Sequence, residues 1–224
     1  GYTPRGISLH NEFLAENGVR VDRAVCKLNS DKHPWNQIRK IVEMAPSTHI
    51  TNIDFALEFS STDDQTNANL AAEALFSAAI MPGSRIHFVP FIDFDRTMDV
   101  THGLLDTLCN PRPASCALQS LNTILYSQPL KVLKAESKQV SDLTVLQIST
   151  DVSIYTLLSS SSSNSRARMQ VDMEGVLALS EDEQLEIYQL SDISLQRMSV
   201  AEAKRRIPAT LTTGPVLIAQ ANMQ

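Results

Sequence analysis

Apolar runs alternate with amphipathic runs through the first half of the chain, and this alternation constrains the fold more than any other feature. Val19, Val21, Ala24, Val25 and Leu28 make one short apolar run, and Ile50 to Phe59 and Ile86 to Phe94 make two more. Between them the apolar positions recur at helical spacing. Trp35, Ile38, Ile41, Val42 and Ala45 follow Pro34 and stop at Pro46, while Ala68, Ala71, Ala72, Leu75 and Ala79 stop at Pro82-Gly83. Proline is tolerated in the first turn of a helix and breaks its interior, so these prolines mark starts and stops. A further helix is expected from Pro4, with Leu9, Phe13 and Leu14 giving it an apolar face and Gly18 stopping it. Another is carried by Ala114, Ala117, Leu118, Leu121 and Leu125. Thr62 and Gln65 have capping-box spacing, with Asp63 and Asp64 placed well for the helix dipole. The order is α, β, α, β, α, β, α. Nearly continuous apolar strands separated by helices imply a parallel sheet covered by those helices.

After Gln128 the texture changes. Leu143 to Ile148, Val152 to Leu158, Met169 to Met173, Leu185 to Leu190 and Pro215 to Ala219 read as short strands between polar turns, with one short helix at Val200 to Arg206. That pattern suggests a β-sandwich. The boundary falls near residues 127 to 131, which divides the chain into 1–128 and 129–224. A chain of 224 residues, 43% hydrophobic, is long enough for one large or two small cores. Its net charge of −6, without any Lys/Arg block, argues against a nucleic-acid or anionic-membrane partner. No apolar run approaches the roughly 18 residues that a spanning helix needs. A first residue of Gly1 in place of Met is compatible with a processed or split chain.

The cysteines suggest no metal centre. Cys109 and Cys116 stand close enough to pair in a loop, leaving Cys26 over; three reduced, partly buried thiols is the reading we favour. No Cys/His spacing resembles a zinc site. The run from Asp93 to Asp99 has the acidic look of a calcium loop but lacks the central Gly and the terminal Glu. No Asn-x-Ser/Thr acceptor is present.

In a parallel α/β sheet the working residues gather at the carboxyl ends of the strands. Glu58 ends an otherwise apolar run and is the first candidate. The long segment after the third run supplies Asp93, Asp95, Arg96, Asp99, His102 and Asp106, side chains suited to polyhydroxyl ligands. Blander readings compete at each position. A lone strand-end Glu is more often solvated or salt-bridged, Arg96 pairs readily with Asp93 or Asp99, Asp106 can tie down its own loop, and a lone His is more often structural. His10-Asn-Glu12 contains an Asn-Glu pair but falls on a solvated helix face, and Trp35 belongs to a core.

Two stretches carry a family resemblance. Asp54-Phe-Ala-Leu-Glu58-Phe-Ser-Ser61, followed by the helix start at Asp63-Asp-Gln65, resembles the seventh strand of retaining (β/α)8-barrel glycoside hydrolases. His102-Gly-Leu-Leu-Asp106 with Asn110-Pro-Arg-Pro-Ala114 looks like the loop and helix that close such barrels, and residues 129 to 224 look like the β-sandwich that often follows. The nearest flavour is the β-xylosidase and α-L-iduronidase type. The match covers roughly residues 19 to 126 at the level of motifs. The resemblance implies an α/β fold holding the last three βα units of a barrel, with Glu58 aligned to the nucleophile and Asp93, Asp95, Arg96, Asp99 and His102 lining a carbohydrate site. It implies no metal and no cofactor. The family's acid/base comes from an Asn-Glu pair on the fourth strand, for which this chain has no room. An N-terminal barrel fragment or a partner chain is therefore expected to complete the sheet. The alternative is a non-catalytic carbohydrate-binding or assembly subunit with a degenerate barrel.

Overall fold

The computed structural model describes residues 4–19, 21, 23–47, 50, 52–93, 102–127, 129–140, 143–160 and 182–221. The expected alternation is present: helix α1 (Pro4–Glu16), strand β1 (Arg23–Leu28), α2 (Pro34–Met44), β2 (Asn52–Glu58), α3 (Asp64–Ala78), β3 (Ile86–Val89) and α4 (Pro113–Tyr126). Strands β1, β2 and β3 pair in that order, all parallel. The second half contributes β4 (Val132–Val140), β5 (Leu143–Thr150), β6 (Ser153–Ser160), β7 (Gln184–Gln189), β8 (Ser194–Ser199), α5 (Val200–Thr210) and β9 (Val216–Ala221). These strands form one six-stranded sheet in the order β4-β5-β6-β9-β7-β8, with every neighbouring pair antiparallel.

The three parallel strands form an open sheet. Among the described residues the C-terminal half is a single sheet, covered on one face by helices α2 to α4 and on the other by α5. The strand expected at Met169 to Met173 lies outside the described residues.

Helix α3 explains how the halves join. Its Ala68, Ala71, Ala74 and Ala78 pack on the parallel sheet against Phe55, Leu57 and Phe59. Its Ala72, Phe76 and Ala79 face the other way and meet Leu121 of α4 and Leu146, Leu157 and Leu217 of the antiparallel sheet. Both of these faces of the helix are therefore buried, and small alanines let two sheets approach it closely. Gln65 Nε2 donates to the Leu211 carbonyl at 3.2 Å, Ser160 N to Asn69 Oδ1 at 3.3 Å and Ser120 Oγ to the Leu190 carbonyl at 3.3 Å, which satisfies these polar groups at the seam, while Trp35 Nε1 is buried there without a partner among the described residues. The N-cap of α3 is Asp63, one residue past the capping-box position; it accepts from Thr66 N at 3.0 Å.

A second tie joins α2, α3 and β5. Glu73, buried in α3, accepts from the Trp35 backbone at 3.2 Å and from His33 Nδ1 at 3.2 Å, placing a carboxylate at the N-terminus of α2 where the dipole favours it. Thr144 Oγ1 of β5 lies 3.4 Å from the same ring nitrogen.

Helix α1 does not pack as its pattern suggests. Leu9 and Phe13 are 58% and 61% exposed, because among the described residues nothing beyond the edge of β1 receives that face. Strand β1 is likewise one-sided: Cys26 and Leu28 are buried against the helices while Val25 is 47% exposed on the opposite face. Burial pushes the Cys26 thiol up to about 11, whereas Cys109 is exposed, and none of the three cysteines is bridged. Strands β4 and β8 are the antiparallel sheet's edges. Their largely polar composition hid them from apolar periodicity, and the lysines on β4 suit an edge strand.

Two measurements test this packing. Phe76→Ala removes a fully buried ring from the centre of the layered core and should cost about 3–5 kcal/mol in urea unfolding; a loss under about 1 kcal/mol would contradict the packing. Glu73 raises the His33 pKa, chiefly through its hydrogen bond and then through its charge, against the opposing effect of burial. Folding therefore takes up protons at His33: its contribution is complete below the ordinary value of 6.5 and fades as pH rises through the higher folded value. His33→Gln should flatten the melting temperature against pH across that window; an unchanged slope would exclude the linkage.

Candidate functional site

The parallel sheet has a helix-covered face and an open one. Parallel register puts Arg23, Val25 and Lys27 of β1 beside Asn52, Asp54 and Ala56 of β2, and Ala56 and Glu58 beside His87 and Val89 of β3, all on the open face. The carboxyl ends of the strands form one rim, and Glu58 stands on it at the end of the middle strand.

Two cation–carboxylate rungs cross from β1 to β2 on this face, both with the same diagonal offset. In the lower rung Arg23 Nη1 donates to Asp54 Oδ1, the Arg85 backbone N donates to the same oxygen at 3.0 Å, and His87 Nε2 lies 3.6 Å from Oδ2. Asp54 is buried and engaged by all three strands or their approaches. In the upper rung Lys27 Nζ donates to Glu58 Oε2. Both side chains stay more than half exposed, at 56% and 54%. The Lys27 hydrogen bond, and then its charge, hold the Glu58 carboxyl below the usual carboxylate range, and the charge of His102 pulls more weakly in the same direction. Glu58 is thus a carboxylate near neutral pH, fit for nucleophilic or basic work and unfit as a proton donor.

The rim loops are pinned by side chains from the helices that follow them. Gln37 of α2 accepts from Asn29 N at 2.8 Å and donates back to the Asn29 carbonyl at 2.9 Å, fixing the turn after β1. Asn67 of α3 donates to the Ser61 carbonyl at 2.8 Å, fixing the turn after β2. The hydroxyls of Ser30 and Ser60 meet at 2.8 Å between the two turns.

The segment after β3 is built differently from its sequence reading. Strand β3 stops at Val89, since Pro90 follows, joined by a cis peptide bond. The chain returns alongside itself: Leu105 N donates to the Phe91 carbonyl at 2.9 Å, Asp93 N to the Leu105 carbonyl at 3.0 Å and Arg112 N to the Leu104 carbonyl at 2.9 Å. Asp93 is buried here and accepts from Gly103 N at 2.6 Å and from Arg112 Nη2 at 2.5 Å. Arg112 Nη1 also donates to Asp64 Oδ1 at 2.9 Å, locking the closing loop to the first turn of α3. A Cβ on Gly103 would come within 2.7 Å of the backbone at Asp93 N and Ile92 C, so the approach needs glycine. Asp106 organises the next turn by accepting from Leu108 N at 2.9 Å and Asn110 N at 2.8 Å, with Cys109 in the left-handed region at φ 65°. The Asn110 side-chain amide, then its backbone N–H, depress the Asp106 carboxyl.

Of the expected site residues, then, Glu58 stands on the rim of the open face within reach of the charge of His102, whose Nδ1 is buried with no hydrogen-bond partner among the described residues. Asp93 and Asp106 serve the loop's architecture. Asp95, Arg96 and Asp99 lie outside the described residues. Lys27, Asp54 and Arg112 escaped the sequence reading. The four-residue spacing of Arg23 and Lys27, matched by that of Asp54 and Glu58, was the available sign, because even spacing keeps strand residues on one face.

No protein-family model and no curated protein matches this sequence. Among solved structures the chain is similar to a family 39 glycoside hydrolase from the gut symbiont Bacteroides cellulosilyticus WH2, with 13% identity over 96% of this chain and 37% of that one and a TM-score of 0.46. It is also similar to a GH30 endoxylanase from Clostridium papyrosolvens C71, with 7% identity over 98% of this chain and 70% of that one and a TM-score of 0.42. The chain spans little more than a third of the length of the first, at 37%.

Arg112→Ala should leave the buried Asp93 carboxylate without its counter-ion and cost about 3–5 kcal/mol in urea unfolding. Hydrogen exchange at the Gly103 amide should accelerate with it. Wild-type stability and protection in the variant would show that the loop is held by other means.

Proposed function

We propose that this chain is part of a retaining glycoside hydrolase in which Glu58 is the nucleophile. One observation supports the reading above the rest: an ionised carboxylate ends the middle strand of a parallel sheet, on the open face, with one oxygen held by Lys27 and no hydrogen bond to the other among the described residues. In such a reaction Glu58 Oε1 attacks the anomeric carbon, the bond to the leaving oxygen breaks, and an acid elsewhere delivers the proton that oxygen needs. Water activated by the conjugate base of that acid then displaces Glu58. Among the described residues the charges that act on Glu58 are Lys27 and His102, with no carboxyl group. The acid/base would come from the polypeptide that completes the barrel. Residues 1–128 would then be the barrel part and 129–224 a β-sandwich accessory domain. His102 would line the carbohydrate site, joined by Asp93, Asp95, Arg96 and Asp99.

The exposed apolar groups agree with a missing partner. Val25 and Val89 on the open face, and Leu9 and Phe13 of α1 beyond the β1 edge, are the groups further barrel strands and helices would cover. The same absence of a neighbouring carboxylate also favours a second reading, a non-catalytic carbohydrate-binding or assembly subunit.

Glu58→Gln decides between them. In the native assembly, hydrolysis of aryl glycosides should fall by more than about a thousandfold, or about 4 kcal/mol of barrier, with the fold intact by circular dichroism. Full activity in the variant would refute the nucleophile. A wild-type assembly that binds xylan or related glycans without hydrolysing any of the glycosides would favour the second reading.

A further inference from the structure

We propose that Lys27 is the positioning residue for Glu58: its ammonium takes Oε2 and leaves Oε1 free over the open face of the sheet. The inference rests on the reading of Glu58 as nucleophile and assigns the group that prepares it.

The two rungs of the open face make the case by contrast. They share strands, face and offset, yet one is closed and the other is not. Asp54 is buried; its Oδ1 accepts from Arg23 and from the Arg85 amide, and His87 Nε2 lies 3.6 Å from Oδ2, so this carboxylate helps hold three strands together. Among the described residues Glu58 accepts a hydrogen bond from Lys27 alone, and it remains 54% exposed. An ion pair this exposed contributes little to stability, being screened by water and opposed by side-chain entropy. Burial in β1 comes from Cys26 and Leu28 on the other face, so the fold gains little from a lysine at position 27. The carboxylate gains two things. It is kept charged near neutral pH, and one oxygen is anchored while its twin points away from the counter-ion.

The chemistry of the cation matters here. The lower rung uses arginine, whose planar fork can engage both oxygens of a carboxylate at once. An ammonium is a point donor and satisfies one oxygen at a time. Here Arg23 donates to Oδ1 alone, so the contrast between the rungs lies in burial and in the second donor at Asp54, the Arg85 amide; at Glu58 the ammonium leaves Oε1 without a hydrogen bond among the described residues.

The test requires no substrate. Titration of the Glu58 side-chain carboxyl by carbon NMR in the full chain should give a midpoint below 4.5 in the wild type. In Lys27→Met, or in Lys27→Gln if the first variant folds poorly, the midpoint should move up to the ordinary value or beyond. Lys27→Arg should keep the low midpoint but slow esterification of ionised Glu58 by a small epoxide at least tenfold, because both oxygens are then engaged. A wild-type midpoint in Lys27→Met, or an undiminished esterification rate in Lys27→Arg, would overturn the proposal. These readouts judge Lys27 directly, whereas loss of the nucleophile reading would show in hydrolysis by the Glu58 variant and leave them unmoved.

Discussion

Burial of α3 on both of its sides is the constraint from which the rest follows. A helix that must satisfy a parallel sheet beneath and an antiparallel sheet above can carry few large side chains, and its alanines with a single central Phe76 meet that demand. Once Ile53, Phe55 and Leu57 of β2 are committed to the helix side, the two-residue period of the strand sends Asp54, Ala56 and Glu58 to the other. The placement of the candidate carboxylate is thus a consequence of core packing. A one-residue slip of β2 would bury Glu58 among alanines and expose Phe55, at a cost the domain could not bear.

The open face then divides by height. Near the amino ends of the strands, Asp54 is buried and held from several sides, and it works as a clamp. At the carboxyl rim, Glu58 is wet and held by Lys27. In the closing loop Asp93 is consumed by Gly103 and Arg112, and Arg112 in turn is anchored to Asp64. A charged side chain drawn into a loop's framework gives shape to a site without touching what binds there. His102, adjacent to the pinned Gly103, gains its fixed place near Glu58 from that framework.

Much of this was legible in the sequence, and the failures have physical causes. Helical spacing and proline stops located α2, α3 and α4 to within a few residues, and the apolar runs identified three strands whose parallel pairing followed from the intervening helices. Strand β3 ended early because Pro90 cannot extend the ladder. Strands β4 and β8 were invisible to a hydrophobicity argument because edge strands need not be apolar. Helix α1 was legible as a helix with an apolar face: Leu9 and Phe13 have the right spacing, but periodicity says nothing about whether a receiving surface exists. The place of Glu58 at a strand end was legible because such a position in a parallel sheet is a topological property. Lys27 was missed because its meaning lies in register with another strand, which a single line of sequence does not display. Asp93 was misjudged for the converse reason, an acidic side chain in a long segment being equally suited to a ligand and to a backbone amide.

The open face of the parallel sheet, with Glu58 as its reacting group, is the central claim. It is tested most directly by incubating the native assembly with 2-deoxy-2-fluoro glycosyl fluorides and mapping the adduct by peptide mass spectrometry. One glycosyl unit should be found esterified to Glu58, and inactivation should follow its formation. Inactivation with the adduct on any other residue of the assembly would contradict the assignment.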